Sequence, residues 1–425
     1  MKEIIPLQRV NARIAVPGSK SITQRALIAA ALADGTSTLI GPLASEDTRY
    51  TSTALEQMGI RVDNSGEIWT VSGSNGAVQT PKKPIFLGNN GTATRFLTSV
   101  AALGSGLFQI TGEKRMEERP ISPLMSALKG WGVEIESIKG TGCPPLEIRA
   151  KGLAGGKTVL PEGKSSQYLS SLLLVAPYAA EPASLDVLGE VYSKPYVTMT
   201  LAVMKSFGAA VEAAADLSHF RIQPQHYKGR EYHIEGDASS ASYFFAAAAI
   251  TGGTMTIDNF STPSLQGDAA LLEILESMGC TLDKSARGVT LTGPEQLRGV
   301  EVDMADCPDV APTLAIVASR AHGRTVIKNI AHLRIKECDR LHVMAKELAR
   351  IGARVQELPD TLIIEGLEDS APPMHGAEIE TYNDHRIAMC FAVAGLVVPG
   401  IKILGEECVA KSFPDFWQRF EKIYH

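Results

Sequence analysis

Nothing constrains this chain more than its internal repetition. The segments ALEQMGIRV (54–62), ALKGWGVEI (127–135), VMKSFGAAV (203–211), ILESMGCTL (274–282) and ELARIGARV (347–355) share one pattern. Each reads as an amphipathic helix stopped by glycine and followed by an extended apolar stretch. The stop glycines stand at 59, 132, 208, 279 and 352, so successive steps are 73, 76, 71 and 73 residues. One more step reaches the end of the sequence, where FPDFWQRFEKIYH reads as a sixth helix with no strand after it. A fixed period of this kind marks a supersecondary unit that buries its apolar face against its copies.

A second helix recurs with the same period. Its copies are SITQRALIAAALADG, TATRFLTSVAALGSG, SSQYLSSLLLVAPYAA, SSASYFFAAAAITGG, VAPTLAIVASRAHG and HRIAMCFAVAGLVVPG. Small and apolar on most faces, these helices are expected inside. Short β-branched runs such as STLIGPL, SLDVLG, TVIKNI and IKILG separate them as strands. The unit is βαβαββ, and the chain is an α/β protein of six copies. The N-terminal run EIIPLQRVNARIAVPG precedes the first Ala-rich helix and is expected to complete the strand-poor last copy. Three copies per half then give a lower domain of residues 1–18 plus 235–425 and an upper domain of 19–234. The crossings fall near Pro17-Gly18 and Glu235-Gly236.

Polar residues gather where these helices begin. Lys20, Ser21 and Arg25, then Asn89, Gly91 and Arg95, then Ser165, Ser166 and Gln167 open the first three Ala-rich helices. Asp237 with Ser239, Asp309, and Asp384-His385-Arg386 open the others. The second helix set is headed by SEDTR (45–49), Arg119, Ser193 with Tyr196, QGD (266–268), Lys336-Glu337 with Arg340, and Lys411. A helix N-terminus carries free N–H groups and about half a positive charge, and so attracts anions. Adding cations there costs a few tenths of a kcal/mol each, so helix stability does not select them. N-capping accounts for Ser21, Ser165, Ser239 or Asp309 taken singly. It does not account for Lys20, Arg25, Arg119, Lys336, Arg340, Arg386 and Lys411 together. If helix starts from both domains converge on an interdomain cleft, these cations suit two small polyanions; a phosphate alone carries about −1.5 to −2 charges.

Composition narrows the field. The net charge of −6 argues against a general nucleic-acid binder, whose footprint is basic. No apolar run has transmembrane length, and no secretory signal pattern opens the sequence, so a cytoplasmic protein without membrane partners is expected. The six cysteines have no metal-ligand spacing, GSKS lacks the upstream glycine of a P-loop, and GNNGTATR does not match GxGxxG. Neither metal nor cofactor is expected.

The motifs PGSKSITQRAL, LGNNGTATR, RMEERPI, SSQYLSSLL, SKPY, EGDASSASYF, RIKECDRL, TYNDHRIAM and KSFPDF occur in this order from end to end. In this the chain closely resembles the 5-enolpyruvylshikimate-3-phosphate (EPSP) synthases, the 3-phosphoshikimate 1-carboxyvinyltransferases. The resemblance implies a two-domain inside-out α/β barrel, in which helices lie within and sheets without. It implies transfer of the enolpyruvyl group of phosphoenolpyruvate to the 5-hydroxyl of shikimate 3-phosphate, by a monomer. Carried over by motif, Lys20, Ser21, Arg25, Ser165, Ser166, Gln167, Ser193, Tyr196, Asp309 and Lys336 would hold shikimate 3-phosphate. Lys20, Asn89, Gly91, Arg119, Gln167, Arg340, His385, Arg386 and Lys411 would surround phosphoenolpyruvate. Asp309 resembles the base for the 5-hydroxyl, Glu337 the acid for the vinyl methylene, and Lys20 lies between both substrates. Where the family pattern is GNAGTAMRP this sequence has GNNGTATRF, with Asn90, Thr94 and Phe96, and His332 replaces an asparagine. These changes bear on the response to glyphosate and on one shikimate-side contact. The sister enzymes acting on UDP-N-acetylglucosamine carry a loop cysteine that TGEKRMEERPI lacks. A non-catalytic polyanion-gripping repeat protein would have no use for Asp309 and Glu337 among the cations.

Overall fold

A computed structural model describes residues 1–162, 165–285, 288–368 and 372–425. The chain separates into a continuous unit, Gly18–Ile234, and a split unit made of Met1–Pro17 and Glu235–His425. Both are α/β, and in both the Ala-rich helices lie inside.

In the continuous unit the helices are α1 (Lys20–Leu32), α2 (Glu46–Gln57), α3 (Gly91–Ala102), α4 (Ser122–Gly130), α5 (Ser166–Val175) and α6 (Lys194–Ser206). Of these, α1, α3 and α5 are the Ala-rich copies, and they pack against one another. Every residue of α1 from Ile22 to Leu32 is buried. Its apolar residues leave no polar face, so only an interior position satisfies it. Small side chains let the helices approach closely, and the Ser99 and Ser171 hydroxyls bond across α3 and α5 at 2.6 Å. Three four-stranded sheets surround this core, each of one design. A leading strand runs parallel to the second, and the last two strands add antiparallel. The first sheet is Glu231–His233, Thr36–Ile40, Ile68–Ser72 and Val62–Asp63; the second is Ile85–Phe86, Ser105–Thr111, Leu146–Lys151 and Glu134–Ser137. The third is Gly156–Leu160, Ala183–Val187, His219–Ile222 and Glu212–Ala213.

The split unit repeats the plan with α7 (Ala238–Thr251), α8 (Leu271–Ser277), α9 (Ala311–Ala318), α10 (Arg340–Arg350), α11 (His385–Gly395) and α12 (Phe416–Glu421). Here α7, α9 and α11 form the inner trio. Ser242, Thr313 and Cys390 meet between them, at 3.1 and 3.7 Å. The five stop glycines all take positive φ, from +83° at Gly59 to +110° at Gly279. This is the left-handed turn that releases a helix into its following strand.

The N-terminal run does not act as one piece. Lys2–Glu3 pairs antiparallel with Lys402–Leu404 and so extends the last copy, whereas Asn11–Ile14 runs parallel to Thr254–Ile257 in a different sheet. The reason lies in chain connectivity. The strand that precedes α7 in sequence, Glu231–His233, is used by the continuous unit against Thr36–Ile40. That leaves the edge of Thr254–Ile257 with unpaired N–H and C=O groups, and Asn11–Ile14 takes them.

Candidate active site

The helix caps decide which polar residues are occupied with local structure. Ser19, Ser45, Asn90, Asp237, Asp339 and Asp384 accept backbone N–H groups at the starts of α1, α2, α3, α7, α10 and α11. Ser21 and Ser239 stand inside their helices, and Asp309 sits in a single 3-10 turn, Pro308–Val310. Ser165 holds the cap position of α5, yet its side chain makes no capping bond. Capping therefore does not explain these four.

In the continuous unit the first turns of α1, α2 and α3 are tied together. Lys20 Nζ lies 3.2 Å from Asp47 Oδ2, with both side chains largely buried. The backbone carbonyl of Asp47 accepts from Asn90 Nδ2 at 2.7 Å and from Gln24 Nε2 at 3.2 Å. Asn90 thus caps α3 and joins it to α2. The next residue, Gly91, has a steric reason to be glycine. A Cβ there would fall against Arg119 Nη2 and lie 2.9 Å from Arg95 Nη1. Arg119 in turn donates from Nη1 to the backbone and side-chain oxygens of Asn89, at 3.0 and 2.9 Å. Gln167, in the first turn of α5 beside Ser166, donates to Thr92 Oγ1 at 3.1 Å.

Arg25 is held with unusual completeness. Its Nε donates to Thr200 Oγ1 at 2.7 Å, Nη1 to the Ser21 carbonyl at 2.8 Å, and Nη2 to Ser170 Oγ and the Tyr196 carbonyl at 3.2 Å each. The Phe96 and Tyr196 rings lie 5.3 and 5.9 Å away. Burial pushes its pKa down to about 10, so it stays charged at neutral pH. Tyr196 follows Ser193, which takes a left-handed backbone (φ +54°) just before α6.

The split unit carries a denser cluster. The Asp309 carboxylate lies 2.7 Å from Arg386 Nη2, 3.2 Å from Arg340 Nη1 and 3.8 Å from Lys336 Nζ. Glu337 Oε2 lies 2.6 Å from Arg340 Nη2. Asp384, wholly buried, receives Arg340 Nε at 2.7 Å and the Arg386 backbone N–H at 2.9 Å. Burial alone would lower the proton affinity of the Arg340 guanidinium; Asp384 and Glu337 outweigh it and hold the group well above its ordinary pKa. His385 is buried beside Asp384, with Nδ1 3.8 Å from Oδ1. His332 is driven down to about 4, first by burial and then by the Lys336 charge, and is neutral at physiological pH. Lys411 ends a 3-10 turn, Glu406–Lys411, that packs on α11.

The sequence marked the places of Asp47 and Asp384 at helix starts but assigned neither a role in the site. Their signal was SEDTR and NDHR, each at the head of a repeated helix. No group of His, Cys, Asp and Glu suited to a metal ion occurs among the described residues.

What results is a pair of buried three-helix cores whose helix starts carry cations balanced by internal carboxylates. This is the fold of the enolpyruvyl transferases. The crystal structure of one of them, NikO from Streptomyces tendae, superposes with a TM-score of 0.76 at 18% identity, over 99% of this chain and 96% of that one. The protein belongs to the EPSP synthase (3-phosphoshikimate 1-carboxyvinyltransferase) family, whose model matches residues 4–420. A 3-phosphoshikimate 1-carboxyvinyltransferase of Syntrophobacter fumaroxidans is 44% identical over 424 residues, 99% of each chain. EPSP synthase from Acinetobacter baumannii superposes with a TM-score of 0.82 at 29% identity, covering 99% of this chain and 97% of its own.

Proposed function

We propose that this protein transfers the enolpyruvyl group of phosphoenolpyruvate to the 5-hydroxyl of shikimate 3-phosphate, releasing phosphate through a tetrahedral intermediate. The observation that carries the reading is the placement of Asp309 and Glu337 on one guanidinium, that of Arg340, within a cluster of further cations. Adding an alcohol across the double bond of an enol phosphate requires one proton removed from the hydroxyl and one delivered to the methylene carbon, and the elimination of phosphate then takes a proton back from the methyl group so formed. Two carboxyls in different surroundings meet that need. Asp309, against Arg386 and Lys336 as well, is suited to the ionised state and takes the hydroxyl proton. Glu337 delivers a proton to the methylene carbon.

Lys20, Ser21, Arg25, Ser165, Ser166, Gln167, Ser193, Tyr196 and Lys336 bind shikimate 3-phosphate. Asn89, Gly91, Arg119, Gln167, Arg340, His385, Arg386 and Lys411, with Lys20, bind phosphoenolpyruvate. The rigidity of Arg25 and Arg119 supports this. Both guanidiniums are already oriented by several hydrogen bonds, so little side-chain entropy remains to be lost on binding an anion. The ion pairs Lys20–Asp47 and Arg386–Asp309 hold the cations in place until the substrates' anionic groups arrive. Oriented cations then stabilise the phosphate-bearing intermediate without reorganisation. A monomeric cytoplasmic enzyme of aromatic amino-acid synthesis fits these substrates.

Phosphate release by the purified protein tests the reading. It is expected only when shikimate 3-phosphate and phosphoenolpyruvate are both present. Turnover with UDP-N-acetylglucosamine in place of shikimate 3-phosphate, or binding of both without turnover, would overturn it.

A further inference from the structure

One buried carboxyl in the split unit has no place in the reaction just described. Asp268 lies in the 3-10 turn Gly267–Ala270 that leads into α8 and is 4% exposed. Ser239, on the first turn of α7, donates its hydroxyl to Asp268 Oδ2. The same Ser239 Oγ receives Arg386 Nη2 at 3.4 Å, and that nitrogen also lies 2.7 Å from Asp309 Oδ2. A continuous line of polar contacts therefore runs from Asp268 through Ser239 and Arg386 to Asp309. It joins the starts of α7 and α11 to the turn before α9.

Several titratable and polar groups face Asp268. The turn before α9 presents Asp309 and the Cys307 thiol, α11 presents Arg386, and the start of α7 presents Asp237 with Ser239. Burial and the negative charge of Asp309 both favour the protonated form of Asp268, while Arg386 and Ser239 oppose them in part, and the group is pushed up to about 6. Asp309, paired with Arg386 directly, and Asp268, reached from it through Ser239, do not ionise independently: the charge on each raises the proton affinity of the other.

We infer that Asp268 is a positioning residue that orients Arg386 through Ser239 and, by its charge, sets how strongly Asp309 holds a proton. The inference rests on the reading of Asp309 as the base. Above the titration of Asp268 its negative charge strengthens Asp309 as a base. Below it, Asp309 faces Arg386 with no second acid and becomes a weaker base.

The test compares pH profiles of kcat/KM for phosphate release by the wild-type enzyme, Asp268→Asn and Asp309→Asn. The profile reports essential groups of the free enzyme and its substrates, and substrate ionisation is common to all three. In Asp268→Asn the acid limb is expected to move to lower pH by about one unit, and the plateau kcat to fall about three- to tenfold as the base weakens. Ser239→Ala removes the donor to Asp268, which then keeps its proton to higher pH, so the acid limb of this variant is expected to move the same way, by about half a unit. A purely structural role for Asp268 would lower activity without moving either limb. Should Asp268→Asn fail to fold, Ser239→Ala decides, and an unmoved limb there overturns the inference. Asp309→Asn separates the two readings. Full activity in that variant refutes the base assignment itself, whereas an inactive Asp309→Asn with unmoved limbs in the other variants refutes only the role of Asp268.

Discussion

Replacing Asp384 by asparagine changes almost no volume and removes one charge from the most buried part of the split unit. The carboxylate has two duties: it accepts the Arg386 backbone N–H at 2.9 Å as the cap of α11, and it receives Arg340 Nε at 2.7 Å. Asparagine is nearly as good a cap as aspartate, so the first duty survives. The second does not. Arg340 is 1% exposed and would keep only Glu337 and Asp309 as partners. Removing one partner from a buried ion pair costs about 3–5 kcal/mol when the remaining charge has no other compensation. With two carboxylates still present, the lower end, about 3 kcal/mol, is expected. For a unit of this size each kcal/mol moves the melting temperature by about 2–4 °C, so Asp384→Asn should melt about 6–12 °C below wild type by calorimetry. Asp384→Ala also loses the cap and should fall further, by about 1 kcal/mol. A melting temperature for Asp384→Asn within 1 °C of wild type would refute the reasoning, since Arg340 would then draw its compensation from elsewhere.

Two more perturbations follow from the same contacts. Lys20→Met should reduce phosphate release by at least about a hundredfold; near-normal turnover would remove Lys20 from the mechanism. Asp268 also makes stability depend on pH. Its folded pKa is raised above the unfolded value, so its contribution is fully present below about pH 4 and is lost as pH rises through about 6. Asp268→Asn should therefore gain stability over wild type by about 2–3 kcal/mol between pH 4.5 and 7.5 in urea titrations, and a difference independent of pH would contradict the burial of an ionisable group there.

The order of elements was legible in the amino-acid sequence because its causes are local. Helix stops, apolar periodicity and β-branched runs depend on residues within a few positions of one another. Six copies of one pattern therefore sufficed to place the Ala-rich helices inside and to mark their polar starts. Three matters were settled by tertiary structure alone. Which polar residue caps a helix depends on where its first turn begins, and a shift of two residues separates Ser19, the cap of α1, from Ser21. Which acid faces which cation depends on the packing of the inner helices. Asp309 meets Arg340 and Arg386 across 31 and 77 residues of sequence, and no local pattern encodes such a pairing. The division of the N-terminal run between two sheets was set by which strand edges other segments had left open. Side-chain chemistry was written in the order of residues, but the neighbours that tune it were chosen by packing, because electrostatic and hydrogen-bond partners act through space and not along the chain.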